Sequence, residues 1–315
     1  MVLLRDVGEF GLIARIQGMT RRAFVRAPGV VVGTGDDAAL LRARADEDVV
    51  VTTDAFVEGV HFDFAAETAR TAGRRALAAN LSDLAAMGAR PLGFVVALSA
   101  PERTPLARAL GLARGMLDWA VRFACPLVGG NVARGREITL AITALGAVGR
   151  GRALLRSGAR VGDRVFVTGT LGGAALERAR GRVGRVAEPR IAAGLALARM
   201  RGVGACIDLS DGLAGDLAHV CRASRVRARI DVVRVPLPRS FASACARAGC
   251  DPLLLSLGGG EDYELLFTAR GPAARADELA RRLRVAVTEI GVIEAGRPGI
   301  DGLPERFGGA GYRHF

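Results

Sequence analysis

Short apolar runs of strand length alternate with longer Ala-, Leu- and Arg-rich segments along the chain, in two blocks separated by a Gly-, Arg- and Ser-rich stretch at Gly149–Gly162. At 315 residues, that alternation predicts two domains, 1–149 and 150–315, each built from strands and helices around its own core. In the first block Gly8–Arg15 reads as a short helix, and Val30–Val32, Ala38–Leu41 and Val49–Thr53 read as strands. Glu67–Met87, free of proline and followed by Gly88, reads as a long helix. Gly93–Leu98 is a predicted strand, Pro105–Phe123 a helix with a mostly apolar stripe, and Ile138–Val148 a strand. The second block opens with a strand at Arg164–Thr168 and a glycine turn at Gly169, Gly172 and Gly173. Helices near Ile191–Met200, Gly212–Ala223, Ser240–Ala248 and Ala276–Leu283 follow, interleaved with strands at Ala228–Val233, Tyr263–Ala269 and Val285–Val292.

Function classes are narrowed by one absence: all 44 basic residues are arginine. Without lysine there is no P-loop lysine, no protein-kinase strand lysine and no Schiff-base amine. The net charge of +12 is spread along the whole chain, aromatic residues are few, and no zinc-finger spacing or basic helix appears, so no nucleic-acid partner is expected. A positive field still favours anionic small substrates. The five cysteines form no CxxC pair and read as reduced thiols, and the longest nearly uncharged stretch, Ile138–Gly149, is shorter than the roughly 18 residues of a membrane helix. With Asp6 and Glu9 interrupting the opening apolar stretch, no signal peptide is read and the expected location is the cytoplasm.

The chemistry concentrates in carboxylates. Asp36 and Asp37 stand in GTGDDAALL, Asp54 follows the run VVVTT, Asp83 lies in NLSDLAAMGA, and Asp208 and Asp211 lie in CIDLSDGL. Were they to converge, each close pair would repel by about 1 kcal/mol in water and about 4 kcal/mol at an effective dielectric constant of 20, so a divalent cation would be needed. Oxygen donors without Cys or His suit Mg²⁺, which shares its shell with water and substrate phosphates. Two glycine-rich stretches, LVGGNVARG and SLGGGEDYELLF, offer turns where backbone amides can approach phosphate oxygens, although neither fits GxGxxG or a P-loop. Of the three histidines, His61 in EGVHF is a site candidate, His219 reads as structural, and His314 belongs to an aromatic ending, GYRHF, expected to pack on the body or over a ligand.

Taken in order, the strings GEFGLIARI, GDDAALL, TTDAFVEGVHF, ALAANLSDLAAMGARP, LVGGN, GRALLRSGA, IDLSDGL, GGGEDYELLF and GYRHF resemble the thiamine-monophosphate kinase family. That family sits within the ATP-binding superfamily that includes aminoimidazole ribonucleotide synthetase and selenophosphate synthetase. The resemblance covers nearly the whole chain and implies an α+β fold of two domains. The sheet of the N-terminal domain would pair with that of a second copy in a homodimer, and the C-terminal domain would hold a mixed sheet packed by helices. It further implies that Asp37, Thr52, Thr53, Asp54, Asp83, Asp208 and Asp211 bind Mg²⁺, with Asp36 beside them. Gly130, Asn131, Arg156 and Ser210 would contact ATP, and His61, Glu261 and Tyr312 would contact thiamine monophosphate.

One stretch departs from the family. Its pattern GGDTTRG is here Gly129-Gly130-Asn131-Val132-Ala133-Arg134-Gly135, so a metal-binding aspartate becomes Asn131, which offers a carbonyl oxygen but no charge. The expected reaction is direct in-line transfer of the γ-phosphoryl group of ATP to the phosphate of thiamine monophosphate. Arg156 would supply charge stabilisation, and no classical acid or base is needed because the acceptor phosphate is largely deprotonated at neutral pH. The alternatives are a nucleotide-binding paralogue without turnover, motivated by Asn131, and another ATP-dependent activating enzyme of the superfamily, which the EGVHF and GYRHF strings disfavour.

Overall fold

A computed structural model describes residues 2–24, 29–32, 34, 39–181, 183, 186–304 and 307. The chain divides into two compact units, Met1–Leu84 with Arg90–Arg150, and Ala85–Ala89 with Gly151–Phe315. Among the described residues no helix is long and apolar enough to cross a membrane.

The first unit contains α1 (Leu4–Ala23), β1 (Val30–Val32), β2 (Leu40–Leu41), β3 (Glu47–Val57), α2 (Ala69–Ala86), β4 (Arg90–Ala100), α3 (Leu106–Arg122), β5 (Leu127–Arg134) and β6 (Thr139–Gly149). Its main sheet has the order β3-β6-β4-β5. β6 pairs antiparallel with both β3 and β4, whereas β5 runs parallel to β4. A parallel pair needs a crossover, and α3 supplies it. Strand alternation turns Phe94, Val96 and Leu98 of β4 and Leu140, Ile142 and Ala144 of β6 inward, all buried, with Leu112 and Met116 of α3 buried as well. On the opposite face of the sheet, Val49 and Val51 of the edge strand β3 are 53% and 61% exposed.

The two helices meet backbone to backbone. A Cβ on Gly115 would lie 2.0 Å from the carbonyl oxygen of Arg70, and one on Gly73 would lie 2.1 Å from that of Leu112. Only glycine fits such a crossing. The predicted helix Gly8–Arg15 extends to Leu4–Ala23, with Gly8 breaking the helical dihedrals at φ 65° and ψ 176°.

The second unit contains β7 (Arg164–Thr168), α4 (Gly173–Ala179), α5 (Ile191–Leu197), β8 (Val203–Asp208), α6 (Leu213–Ser224), β9 (Arg227–Ile230), α7 (Phe241–Arg247), α8 (Pro252–Gly258), β10 (Leu265–Ala269), α9 (Ala276–Leu283), β11 (Val287–Glu294) and β12 (Gly299–Asp301). Its six strands are ordered β12-β9-β11-β7-β10-β8, antiparallel except for the parallel β12–β9 pair. The mixed sheet packs Val165, Val167, Ile207, Leu266 and Ile290 against Leu213, Leu217 and Val220 of α6. On alternate positions Phe166 and Phe267 stack at 5.5 Å, both fully buried.

Candidate active site

In the first unit the site begins with strand alternation on β3. Asp54, which follows the predicted strand Val49–Thr53, is itself a strand residue, because that run is the middle of an eleven-residue strand that ends at Val57. Thr52, Asp54 and Phe56 therefore share one face and Thr53 the other. On the first face the Thr52 hydroxyl donates to Asp83 Oδ2 of α2 at 2.5 Å. Burial, with the Asp83 carboxylate second, pushes the Asp54 carboxyl up to about 6. Asp54 Oδ2 is buried and makes no hydrogen bond. Thr53 instead donates to the Ile142 carbonyl and accepts from Thr143, both on β6.

His61 closes the turn that follows β3. Its amide donates to the Val57 carbonyl at 2.8 Å, and its Nδ1 accepts the Val57 amide at 3.1 Å. An Nδ1 that accepts leaves the ring proton on Nε2.

The stretch LVGGNVARG is not a turn but β5, the opposite edge of the sheet from β3. Gly130 sits there because a Cβ would meet the Val96 carbonyl oxygen of β4 at 2.3 Å. Asn131 lies level with Ala97, Ala141 and Ala55 across the four strands. Three strand spacings, about 14 Å, therefore separate it from β3, and the structure does not bring it to Asp54 within this sheet. Beside it a cavity of about 600 Å³ is lined by Phe10 and Ile13 of α1, Leu112 and Met116 of α3, and Gly129 and Asn131.

In the second unit, two motifs are zipped together at one end of the sheet. Asp208, 3% exposed, ends β8 directly opposite Leu265 of β10. The pairing continues past both strands: Leu209 N donates to Glu264 O at 2.8 Å, Tyr263 N to Leu209 O at 3.0 Å, and Glu261 N to Ser210 O at 2.9 Å. Asp208, Ser210, Asp211 and Glu261 are thereby gathered. Arg156 begins a 3₁₀ turn at Arg156–Gly158, where its carbonyl accepts the hydroxyl of Ser224 at the end of α6 at 2.8 Å. With burial as the main cause, the His219 pKa is lowered. Glu261 forms an ion pair with Arg178 of α4 at 3.0 Å, and both Glu261 and Tyr263 have positive φ, at 67° and 48°.

Residues that carry this geometry without having been singled out in the sequence are Asp216, Asp262, Arg178 and Arg75. Asp216 accepts the amides of Asp211 and Gly212, both at 3.1 Å, and burial beside Asp208 and Asp211 pushes its carboxyl up to about 8. Asp262 accepts the amides of Gly172 and Ala174 at the start of α4, and burial raises it to about 7. A capping signal existed only for Asp216, an acidic residue in the first turn of α6. Asp36, Asp37, Tyr312 and His314 lie outside the described residues.

The acidic groups thus stand in two sets, Asp54 with Asp83 in one unit and Asp208 with Asp211 and Asp216 in the other. Among the described residues no three His, Cys, Asp or Glu side chains converge closely enough to hold an ion by themselves. An oxygen-only donor set with an unbonded, buried carboxylate oxygen at Asp54 fits a hard divalent cation that completes its shell with water and phosphate.

Two mixed-sheet units with carboxylates at strand ends and no P-loop define a class, and the chain matches it twice. Residues 35–148 match the AIR synthase related protein, N-terminal domain, and residues 160–301 match the corresponding C-terminal domain. Thiamine-monophosphate kinase of Salmonella typhimurium is 38% identical over 331 residues, covering 98% of each chain. The crystal structure of thiamine-monophosphate kinase from Stenotrophomonas maltophilia superposes with a TM-score of 0.82 at 37% identity, covering 94% of this chain and 97% of that one. AaThiL complexed with AMPPCP and TMP gives a TM-score of 0.73 at 28% identity over 100% of this chain and 99% of that one. The chain belongs to the thiamine-monophosphate kinase family.

Proposed function

We propose that the chain phosphorylates thiamine monophosphate to thiamine diphosphate with ATP as donor. The observation that carries this reading is likeness along the full chain to a protein captured with both AMPPCP, an ATP analogue, and TMP. In this reading Gly130, Asn131, Arg156 and Ser210 serve ATP, and His61, Glu261 and Tyr312 serve thiamine monophosphate. The apolar cavity beside Gly129 and Asn131 takes the adenine base, since its walls are aliphatic and aromatic and it opens beside the residues assigned to the phosphates.

Asp36, Asp37, Thr52, Asp54, Asp83, Asn131, Asp208 and Asp211 are assigned to Mg²⁺; the Thr53 hydroxyl, on the other face of β3 and bonded to the Ile142 carbonyl, is not. Bound there, Mg²⁺ would neutralise charge on the triphosphate. The chain's own residues do the rest. Arg156 offsets the repulsion between two anionic substrates. His61, with its proton on Nε2, presents a neutral donor to an acceptor group on the substrate. Glu261, fixed by Arg178 and by its amide bond to Ser210, orients the acceptor relative to the donor. The acceptor phosphate has its second pKa near 6, so at neutral pH its oxygen attacks without a protein base.

A homodimer belongs to the same reading: Val49 and Val51 leave an apolar strip on the uncovered face of the N-terminal sheet. So does a cytoplasmic location. The test is ADP release from ATP across a magnesium series, with and without thiamine monophosphate, identifying thiamine diphosphate as product. Turnover that depends on the acceptor is expected; ATP binding with no turnover at any magnesium concentration would refute the proposal and favour a regulator.

A further inference from the structure

A guanidinium is buried beneath the His61 turn, and it touches both halves of that residue's support. Arg75 of α2 is 4% exposed. Its Nη2 donates to the His61 carbonyl at 2.9 Å, its Nη1 is paired with Glu67, and its Cζ lies 5.1 Å from the centre of the Phe56 ring. Phe56 stacks on the His61 imidazole at 5.5 Å with 30° between planes, and on Phe62 at 5.2 Å and 6°. The backbone of His61 and the ring beneath its imidazole thus rest on one side chain. Burying a guanidinium is costly unless it is paired and hydrogen-bonded, and here Glu67 neutralises it, the His61 carbonyl accepts from it and the Phe56 ring lies against it.

We infer that Arg75 is a positioning residue for the reaction: it fixes the Nε2 side of His61 toward the acceptor substrate, thiamine monophosphate. This rests on the assignment of His61 to that substrate. Arg75 touches no reacting atom and acts through His61. Lysine at this position could satisfy either Glu67 or the His61 carbonyl as a point charge, but it could not fork between them and lie flat on Phe56. The geometry therefore asks for arginine and not merely for a cation.

The test is a double-mutant cycle on the full chain. Replacing the buried pair by apolar side chains, Glu67→Leu with Arg75→Met, removes the hold on His61 without leaving an unpaired buried charge. Steady-state kinetics should show KM for thiamine monophosphate raised about tenfold or more, with KM for ATP within twofold of the parent. Combined with His61→Ala, the same pair of changes should add less than twofold, because the residue being positioned is already gone. Arg75→Lys should fall between, and it carries the same cycle should the apolar pair fail to fold. The histidine ring ¹⁵N spectrum, assigned with His61→Gln, gives a readout independent of turnover: the Nε2–H signature of His61 should be lost with Arg75. Equal effects in the parent and in the His61→Ala background, an unchanged KM for thiamine monophosphate, or an unchanged His61 spectrum would each overturn the inference. If the spectrum shifts but His61→Ala leaves thiamine monophosphate binding unaltered, the turn is held as described and the assignment of His61 to the substrate is what fails, taking the positioning role with it.

Discussion

Replacing Asp54 by asparagine should stabilise the metal-free protein, and by an amount that depends on pH. Its carboxyl is raised from 3.8 to about 6 by burial and by Asp83. At 1.36 kcal/mol per unit, the charged form is disfavoured in the folded state by about 3 kcal/mol. The folded pKa lies above the unfolded one, so between pH 4 and pH 6 the native state binds more protons, and stability falls as pH rises. The penalty is absent below about pH 4 and fully present above about pH 6. In the presence of chelator, Asp54→Asn should therefore match the parent near pH 4 and exceed it by up to about 3 kcal/mol at pH 8. Adding Mg²⁺ at pH 8 should stabilise the parent more than the variant, with turnover lost in the variant. The assay is urea unfolding followed by tryptophan fluorescence. The single tryptophan, Trp119, lies on α3 in the same unit as Asp54, so the signal reports the unit in question. Equal stability of the two proteins at pH 8 in chelator would refute the claim that this carboxylate is held under strain for a cation.

Asn131→Asp should lower the magnesium concentration at half-maximal rate by about tenfold, the effect of about 1.4 kcal/mol, while kcat changes little; a magnesium titration at fixed ATP checks it. Gly115→Ala should destabilise the first unit by about 3 kcal/mol, because its methyl would meet the Arg70 carbonyl oxygen at 2.0 Å and drive α2 from α3; the same Trp119 signal reads it. Ala14→Trp, which fills the cavity beside Asn131, should raise KM for ATP at least tenfold and leave KM for thiamine monophosphate unchanged, as initial rates against each substrate would show.

Periodicity and composition made α2, α3 and α6 legible, because each runs ten residues or more with no internal proline. Some short elements, such as Arg164–Thr168, were read as well, and those that escaped did so for identifiable reasons. β5 was hidden by Gly129 and Gly130, whose lack of side chains is dictated by Val95 and Val96 of the adjoining strand and reads locally as a turn. α8 was hidden because PLLLSLG is apolar on every side, and its cap, Asp251, was indistinguishable from a loop aspartate. β12 has three residues and exists only by pairing with β9. The site was legible as a set of strings resembling a family, but its geometry was not. Thr52 and Thr53 are neighbours in sequence and point to opposite faces, and Asn131 lies across the sheet from Asp54. Arg75 looks from sequence like one more exposed arginine on an Ala-rich helix; only the packing of Phe56 and Glu67 around it shows otherwise.

The backbone bonds linking Leu209 and Ser210 with Glu261, Tyr263 and Glu264 make two distant stretches of sequence a single clasp. A ligand that draws Glu261 toward itself draws Ser210 with it. Linkage then requires reciprocity: if thiamine monophosphate tightens the clasp around ATP by some factor, ATP tightens it around thiamine monophosphate by the same factor. In the proposed reading, where Ser210 serves ATP and Glu261 serves thiamine monophosphate, this clasp would couple the two sites, with the same coupling whichever substrate binds first.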